Sequence, residues 1–345
     1  MRAAVMRAQG PPDVLKVEAD FPKPQRKAGE VLIQVAAASV NPIDVKMREG
    51  KQVPRAVVTF PKIPGGDVAG VVLEADEGSP FKKGDRVFGC TGQQVFNVTY
   101  GTYAEFVSAP QDTLEKIPDG IGYEEAAAVP LAAMTAWQAL EARMPLEGKA
   151  VLVHAGSGGV GSFAIQIAKA LGARVTATCG PSNVALVTQT LGADVAVDYT
   201  KDRFDDVAPG PYDIIVDLIG GDYETRGVKL LKKGGKGERR GHYVNVLAHG
   251  WIKKYGVARG LAATVYCVAK GTLLSALGWG PSYELLVMRP QASRGLQQVA
   301  ALMAEGKVKP LIDRVLSLEQ VVAEAHAHSE GGHARGKIVL RVADI

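Results

Sequence analysis

Cysteine is scarce in this chain: its 345 residues hold three, Cys90, Cys179 and Cys267, odd in number and far apart. Such spacing excludes a closely spaced cysteine zinc site and points to a reducing compartment. No apolar run approaches the roughly 18 residues that would suggest a membrane span. The most apolar stretch, residues 260–288, is interrupted by Lys270 and Glu284 and punctuated by glycine. Charge excess is small as well, and a net +4 gives no case for nucleic acid as a main partner. Internal repeats are not visible. A cleavable targeting peptide is not apparent either, because residues 1–7 already read as a strand and Asp13 follows soon after. One further absence is local: no Asp or Glu occurs between Gly148 and Ala193.

Inside that acid-free window lies the stretch around which the chain is organised. Residues 151–155, Val-Leu-Val-His-Ala, are a short and mostly apolar run, and Gly156-Ser157-Gly158-Gly159-Val160-Gly161 follows at once. Beyond it, Phe163, Ile167 and Leu171 recur at helical spacing, as do Val160, Ala164 and Ala168, and Gly172 stands where a helix would stop. Strand, tight turn and helix in that order turn Gly156-x-Gly158-x-x-Gly161 into a dinucleotide-binding pattern. Glycines let the backbone turn and approach a diphosphate closely, and the free N–H groups of the helix start bind its charge.

A dinucleotide with free ribose hydroxyls is usually held by an acid about 20 residues beyond the glycines. Here the second strand, residues 174–179, ends in Gly180-Pro181-Ser182-Asn183 with no carboxylate. A 2′-phosphate would meet no like charge there and would find Ser182 as a hydrogen-bond donor, so NADPH is preferred over NADH. The plainer alternative is that Ser182 only caps its own helix, ending at Gly192.

Length predicts two domains. Residues 1–127 read as short strands separated by Pro and Gly, a partly open barrel. Val31, Ile33 and Val35 share one strand face, and residues 68–73, 85–88 and 103–107 are further strands. Helical stretches at 125–130 and 131–140 mark the change to the second domain, residues 128–289. Its strands fall at 151–155, 174–179, 194–197, 212–218 and 242–247, a parallel sheet covered by helices on both faces. After that a helix at 296–306, a strand at 308–310, a helix at 318–327 and a strand at 337–342 return the chain, over 290–345, to the first domain.

Several local motifs together resemble the medium-chain dehydrogenase/reductase superfamily, in its zinc-free quinone oxidoreductase branch. They are the runs at 39–46 (Ser-Val-Asn-Pro-Ile-Asp-Val-Lys), 64–70 (Pro-Gly-Gly-Asp-Val-Ala-Gly), 134–136 (Met-Thr-Ala), 155–161 and 332–337 (Gly-His-Ala-Arg-Gly-Lys). The resemblance implies a GroES-like β-barrel catalytic domain, a Rossmann domain, an active site in the cleft between them, and a homodimer. Zinc-dependent members carry Cys where this chain has Asn41 and His where it has Gly66, so no metal site is expected. His326 and His328, two apart on a predicted helix, are expected to fill surface roles.

Without a metal to stabilise an alkoxide, alcohol oxidation is disfavoured. Reduction of a quinone or an α,β-unsaturated carbonyl is less demanding, since conjugation spreads the arriving charge. By resemblance, Asn41 and Lys46 donate to substrate oxygen or cofactor ribose, Asp44 holds Lys46 in place, and Thr135 contacts the nicotinamide. Tyr199, Leu247, His333, Ala334 and Arg335 belong to the cofactor, with Arg335 reaching its 2′-phosphate. The alternatives are an exposed Asp44–Lys46 pair after an Asn-Pro turn, a helix Thr135 bonded to its own backbone, a packing role for Tyr199, and an ordinary surface Arg335 in a glycine-rich turn. A non-catalytic NADPH-binding sensor or assembly protein is the competing function. The basic run at 232–240 reads as a solvated loop or as a contact with an anionic membrane surface. The expected setting is the cytoplasm or an organelle interior, mitochondrial matrix or chloroplast.

Overall fold

Apolar alternation at Val31, Ile33 and Val35 buries one face of a strand that runs further than alternation alone predicts, from Glu30 to Val40. Its second half, Ala36-Ala37-Ala38, is buried throughout, the mark of a strand covered on both faces. The structure, a computed structural model, describes residues 1–92, 99–234, 240–246, 256–277, 280–321, 324–332 and 334–345. It divides into two compact units, Met1–Met134 with Arg289–Ile345, and Thr135–Met288. Among the described residues no helix is long and apolar enough to cross a membrane.

In the first unit β1 (Ala3–Met6) pairs antiparallel with β2 (Leu15–Glu18). The long strand β3 (Glu30–Val40) is followed by helix α1 (Pro42–Glu49) and by β4 (Asp67–Glu74), β5 (Arg86–Cys90), β6 (Phe106–Pro110) and β7 (Leu114–Lys116). One edge of β3 takes β4, and residues 30–34 of its other edge take β6. The strand expected at 103–107 therefore starts three residues later. Helices α2 (Tyr123–Ala127) and α3 (Pro130–Glu141) come next.

The second unit holds β8 (Ala150–Val153), α4 (Gly159–Ala170), β9 (Arg174–Cys179), β10 (Val195–Asp198), α5 (Phe204–Val207), β11 (Ile214–Asp217), α6 (Asp222–Gly227) and β12 (His242–Asn245). A further helix α7 (Val257–Ala276) and a sixth strand β13 (Ser282–Leu285) complete it. All neighbours are parallel, in the order β10-β9-β8-β11-β12-β13. This is a doubly wound, Rossmann-type sheet whose strand order reverses at β8, where such sheets bind ligands.

The helix expected from Ser182 to Gly192 is present as a continuous turn-by-turn run over 181–190, beginning as a 3₁₀ turn (Pro181–Asn183), passing through α geometry at Val184 and Ala185 and ending as a π-helical turn (Leu186–Thr190). Neither α7 nor β13 follows from periodicity, because the glycines of the apolar stretch read as breaks. In the structure Gly271 lies inside α7, where a Cβ would fall 2.8 Å from the Tyr283 Cβ of β13. It is a close-packing position.

The chain then returns through α8 (Leu296–Ala304), β14 (Ile312–Ser317), α9 (Ala325–Glu330) and β15 (Lys337–Arg341). Strand β15 pairs antiparallel with residues 37–40 of β3 and parallel with β14. Residues 308–310 are not a strand; pairing begins beyond Pro310, which has no N–H to offer. The helix expected at 318–327 is a 3₁₀ turn (Glu319–Val321) and α9, with 322–323 outside the described residues.

Replacing Gly271 by Ala should lower the urea-unfolding free energy by about 1–3 kcal/mol through overpacking against Tyr283. Thr272→Ala, one exposed residue further on, should leave it nearly unchanged.

Candidate functional site

Helix α1 starts where β3 ends, and its first turn carries two of the expected catalytic residues. Asp44, at the third helical position, accepts the Asn41 N–H at 2.9 Å and so caps the helix. The Asn41 side chain turns away from the helix: Nδ2 donates to Asp67 Oδ2 at 2.8 Å and Oδ1 accepts from Lys337 Nζ at 2.5 Å. Asp67 also accepts from Ser39 Oγ at 2.7 Å and, on its other oxygen, from the Leu131 N–H at 2.9 Å. Lys337 Nζ lies 3.5 Å from Asp67, and all of Ser39, Asn41, Asp67 and Lys337 are buried.

This arrangement bears on zinc. The Asn41 carboxamide is engaged at both ends, its oxygen by an ammonium ion, and Gly66 contributes no side chain. These residues do not fit a zinc ion, whose ligands are thiolate, imidazole or carboxylate.

Asp44 does not hold Lys46. Its carboxylate also accepts from Tyr103 Oη at 3.1 Å, and it is wholly buried; burial pushes it up to about 6, against the Asn41 N–H, which lowers it. Lys46 is half-buried, and its ammonium makes no hydrogen bond or ion pair among the described residues. Burial lowers its pKa, with Glu49 opposing. A second lysine, Lys62, lies wholly buried and is brought down to about 8 by burial, with Asp44 opposing. Carboxyl and ammonium groups pushed toward neutrality are suited to hydrogen bonding and proton exchange with a substrate oxygen.

The histidines are a further correction. His326 is fully buried, not on the surface: Arg48 Nε donates to its Nδ1 at 3.2 Å, and its ring meets Tyr103 edge-on at 5.9 Å. Burial brings it down to about 3, so it stays neutral. His328 points the other way, to Asp313 at 2.5 Å.

In the second unit the glycine loop differs in detail from expectation. None of Gly156, Gly158 and Gly161 has a positive φ; the left-handed residue of the turn is Ala155, at φ 52°. Its N–H donates to Thr178 Oγ1 at 3.2 Å, which fixes the turn on the end of β9. The glycines serve close approach instead. A Cβ on Gly161 would lie 2.2 Å from the Ala155 carbonyl oxygen, and one on Gly156 2.9 Å from the Ala177 Cβ. Gly158 is the N-cap of α4 and brings no capping side chain, so the helix start at Gly159, Val160 and Gly161 presents N–H groups to an anion. Beneath it His154 is buried between Phe204 and Tyr223 and brought down to about 4 by burial.

Beside the loop, Asn183 Nδ2 donates to Ser157 Oγ at 3.1 Å. Ser182 is exposed and makes no cap, since the turn is entered from Gly180. Tyr199 is exposed, with its hydroxyl 3.5 Å from where a Gly180 Cβ would stand. Asp198 is the carboxylate that linear spacing missed: β10 sets it level with Cys179 at the end of β9. Thr200 donates to it twice, at 2.8 and 3.0 Å, and Lys201 stands 3.6 Å away, so its charge is taken up by its own turn.

Asn41, Asp44 and Lys46 thus share one helix in the first unit, and the glycine loop, Ser182 and Tyr199 share one sheet end in the second. Thr135 is buried in α3. Ala334 and exposed Arg335 lie in the first unit, and Leu247 and His333 fall outside the described residues. Of the basic run, Lys232 pairs with Asp213 at 2.8 Å and Arg240 donates to the Gly280 carbonyl, while 235–239 are not described. Asp67, Lys337 and Lys62 had no assigned role; their significance depends on partners far away in sequence.

Residues 27–119 match the family described as "Alcohol dehydrogenase GroES-like domain", and residues 191–340 the one described as "Zinc-binding dehydrogenase". The chain is 33% identical over 348 residues to a chloroplastic NADPH-dependent alkenal/one oxidoreductase of Arabidopsis thaliana, covering 99% of this chain and 79% of that protein. It is 31% identical over 352 residues to a human quinone oxidoreductase, covering 99% and 97%. Among solved structures, the quinone oxidoreductase from Coxiella burnetii aligns with a TM-score of 0.83 at 31% identity, covering 99% of both chains.

Asp44 makes stability pH-dependent. Its folded pKa of about 6 lies above the unfolded value of 3.8, so the cost of ionising it is absent below about pH 4 and complete above about pH 6. That cost is about 3 kcal/mol. In Asp44→Asn, the loss of urea stability between pH 4 and 6 should shrink by about this amount; an unchanged pH profile would contradict the assignment.

Proposed function

The chain belongs to the quinone oxidoreductase branch of the medium-chain dehydrogenase/reductase superfamily, and we propose that it is a zinc-independent, NADPH-dependent reductase of quinones or α,β-unsaturated carbonyls. The observation that carries this reading is the cradle after β8. Gly161 sits against the Ala155 carbonyl with no room for a side chain, and the start of α4 is left uncapped for a diphosphate. Ser182 and Tyr199 are the candidates for the 2′-phosphate, supported by their exposure beside Gly180 and by the engagement of Asp198 in its own turn. Thr135 is assigned to the nicotinamide ring, and NADPH when bound supplies the hydride.

The residues of α1 act on the acceptor. Hydride arrival places negative charge on a conjugated oxygen, which needs donors and then a proton. Lys46, half-buried, in no hydrogen bond or ion pair among the described residues and with Glu49 as its nearby carboxylate, is the donor proposed for that oxygen. Asn41 is proposed as a second polar contact, held rigid by Asp67 and Lys337. Asp44 is a positioning residue, since it fixes the first turn from which Lys46 projects. A homodimer belongs to the same proposal: the outer edge of β13 pairs with no strand among the described residues, and such an edge accepts a second copy.

Lys46→Ala should lower kcat/KM for NADPH-dependent quinone or enone reduction by about 100-fold, with an unchanged urea midpoint. Wild-type turnover would remove Lys46 from the chemistry. Gly161→Ala should raise the Kd for NADPH in a calorimetric titration at least about tenfold, because the added methyl displaces the helix start from the diphosphate. Tight NADPH binding by the wild type without turnover on either a quinone or an enone panel would favour the non-catalytic sensor.

A further inference from the structure

Helix α7 is apolar on both sides. Its inner side, with Thr264, Cys267, Gly271 and Leu274, faces the sheet beside β13. Its outer side repeats Val265, Tyr266, Ala269, Leu273, Ala276 and Leu277 at helical spacing, all exposed. Val265 is 66% exposed, Tyr266 63%, Leu273 59% and Leu277 51%, over three turns of one helix. A helix with two apolar faces and only one covered calls for a second apolar surface.

Charge indicates which kind. Residues 239–283 contain no Asp or Glu and six Lys or Arg. On α7 itself, Arg259 and Lys270 are exposed and flank one side of the apolar stripe. A second copy docking through this face about a two-fold axis would set the same patch against itself, bringing cations together with no carboxylate of α7 to meet them. An anionic lipid surface meets both features at once: acyl chains receive the stripe, and headgroups receive the cations. Tyr266 and Lys270 also line a cavity of about 450 Å³ between α7 and β13, walled by Val228, Leu274 and Pro281 and by the buried carboxylate Glu224, which lies on the inner side of the helix and away from the stripe.

We propose that α7 is an interfacial helix that lies in the plane of an anionic membrane with its outer face in the headgroup–acyl boundary. This goes beyond the reductase reading and does not depend on it. Too polar to span, the helix rests on the bilayer instead of crossing it.

The full chain should co-sediment with phosphatidylcholine vesicles containing phosphatidylserine and much less with pure phosphatidylcholine vesicles. Replacing Val265, Tyr266, Leu273 and Leu277 together by Ser should weaken binding about tenfold or more. The pair Arg259→Glu and Lys270→Glu, which leaves the apolar stripe intact, should abolish the preference for phosphatidylserine. NADPH binding measured on the same preparations should stay at the wild-type value in both variants, which separates this proposal from the catalytic one. Absence of wild-type binding to anionic vesicles would overturn the proposal. So would binding that survives both sets of changes, or a serine variant that only dissociates a dimer while the wild type ignores vesicles.

Discussion

A buried carboxylate, Asp67, ties the first unit together. Its two oxygens gather Ser39 from β3, the Asn41 side chain at the start of α1, the backbone N–H of Leu131 in α3 and, at longer range, Lys337 from β15. A charge placed out of water is stable only when hydrogen bonds surround it, and removing one partner leaves the rest uncompensated. The same bonds therefore fix where α1 begins. They hold the Asn41 side chain off its own helix, so that Asp44 must provide the cap. Lys46 then stands on a helix whose register is set by a group it does not touch.

Burial governs the acid–base character of the surroundings in the same way. Asp44 is pushed up while Lys46 and Lys62 are brought down, each primarily by loss of water. Opposite shifts in acids and bases narrow the gap between them and make proton exchange near neutrality less costly.

The glycine loop and α7 show two uses of a residue without a side chain. In the loop, Gly161 lets a helix start touch the Ala155 carbonyl, while the strained backbone falls to Ala155 itself, held by Thr178. In α7, Gly271 lets a helix lie against Tyr283 of the edge strand. The outcomes differ because the first leaves the N–H groups of a helix start without a capping side chain and the second brings only carbon toward carbon.

Local order alone determined the strand–turn–helix at 151–170, the parallel alternation of the second unit and the lack of an acid in the window after it, because spacing and composition carry these directly. It also located Asn41, Asp44 and Lys46, but not what they bind. Asp44 caps a helix and receives Tyr103 instead of gripping Lys46; His326 is buried against Arg48; Asp198 arrives at the end of β9 from the neighbouring strand; and residues 260–276 form a helix despite their glycines. Only tertiary structure decided these. A side chain's partner, its burial and hence its charge depend on segments tens to hundreds of residues away, and the hydrogen bonds that choose among partners exist only after those segments have packed.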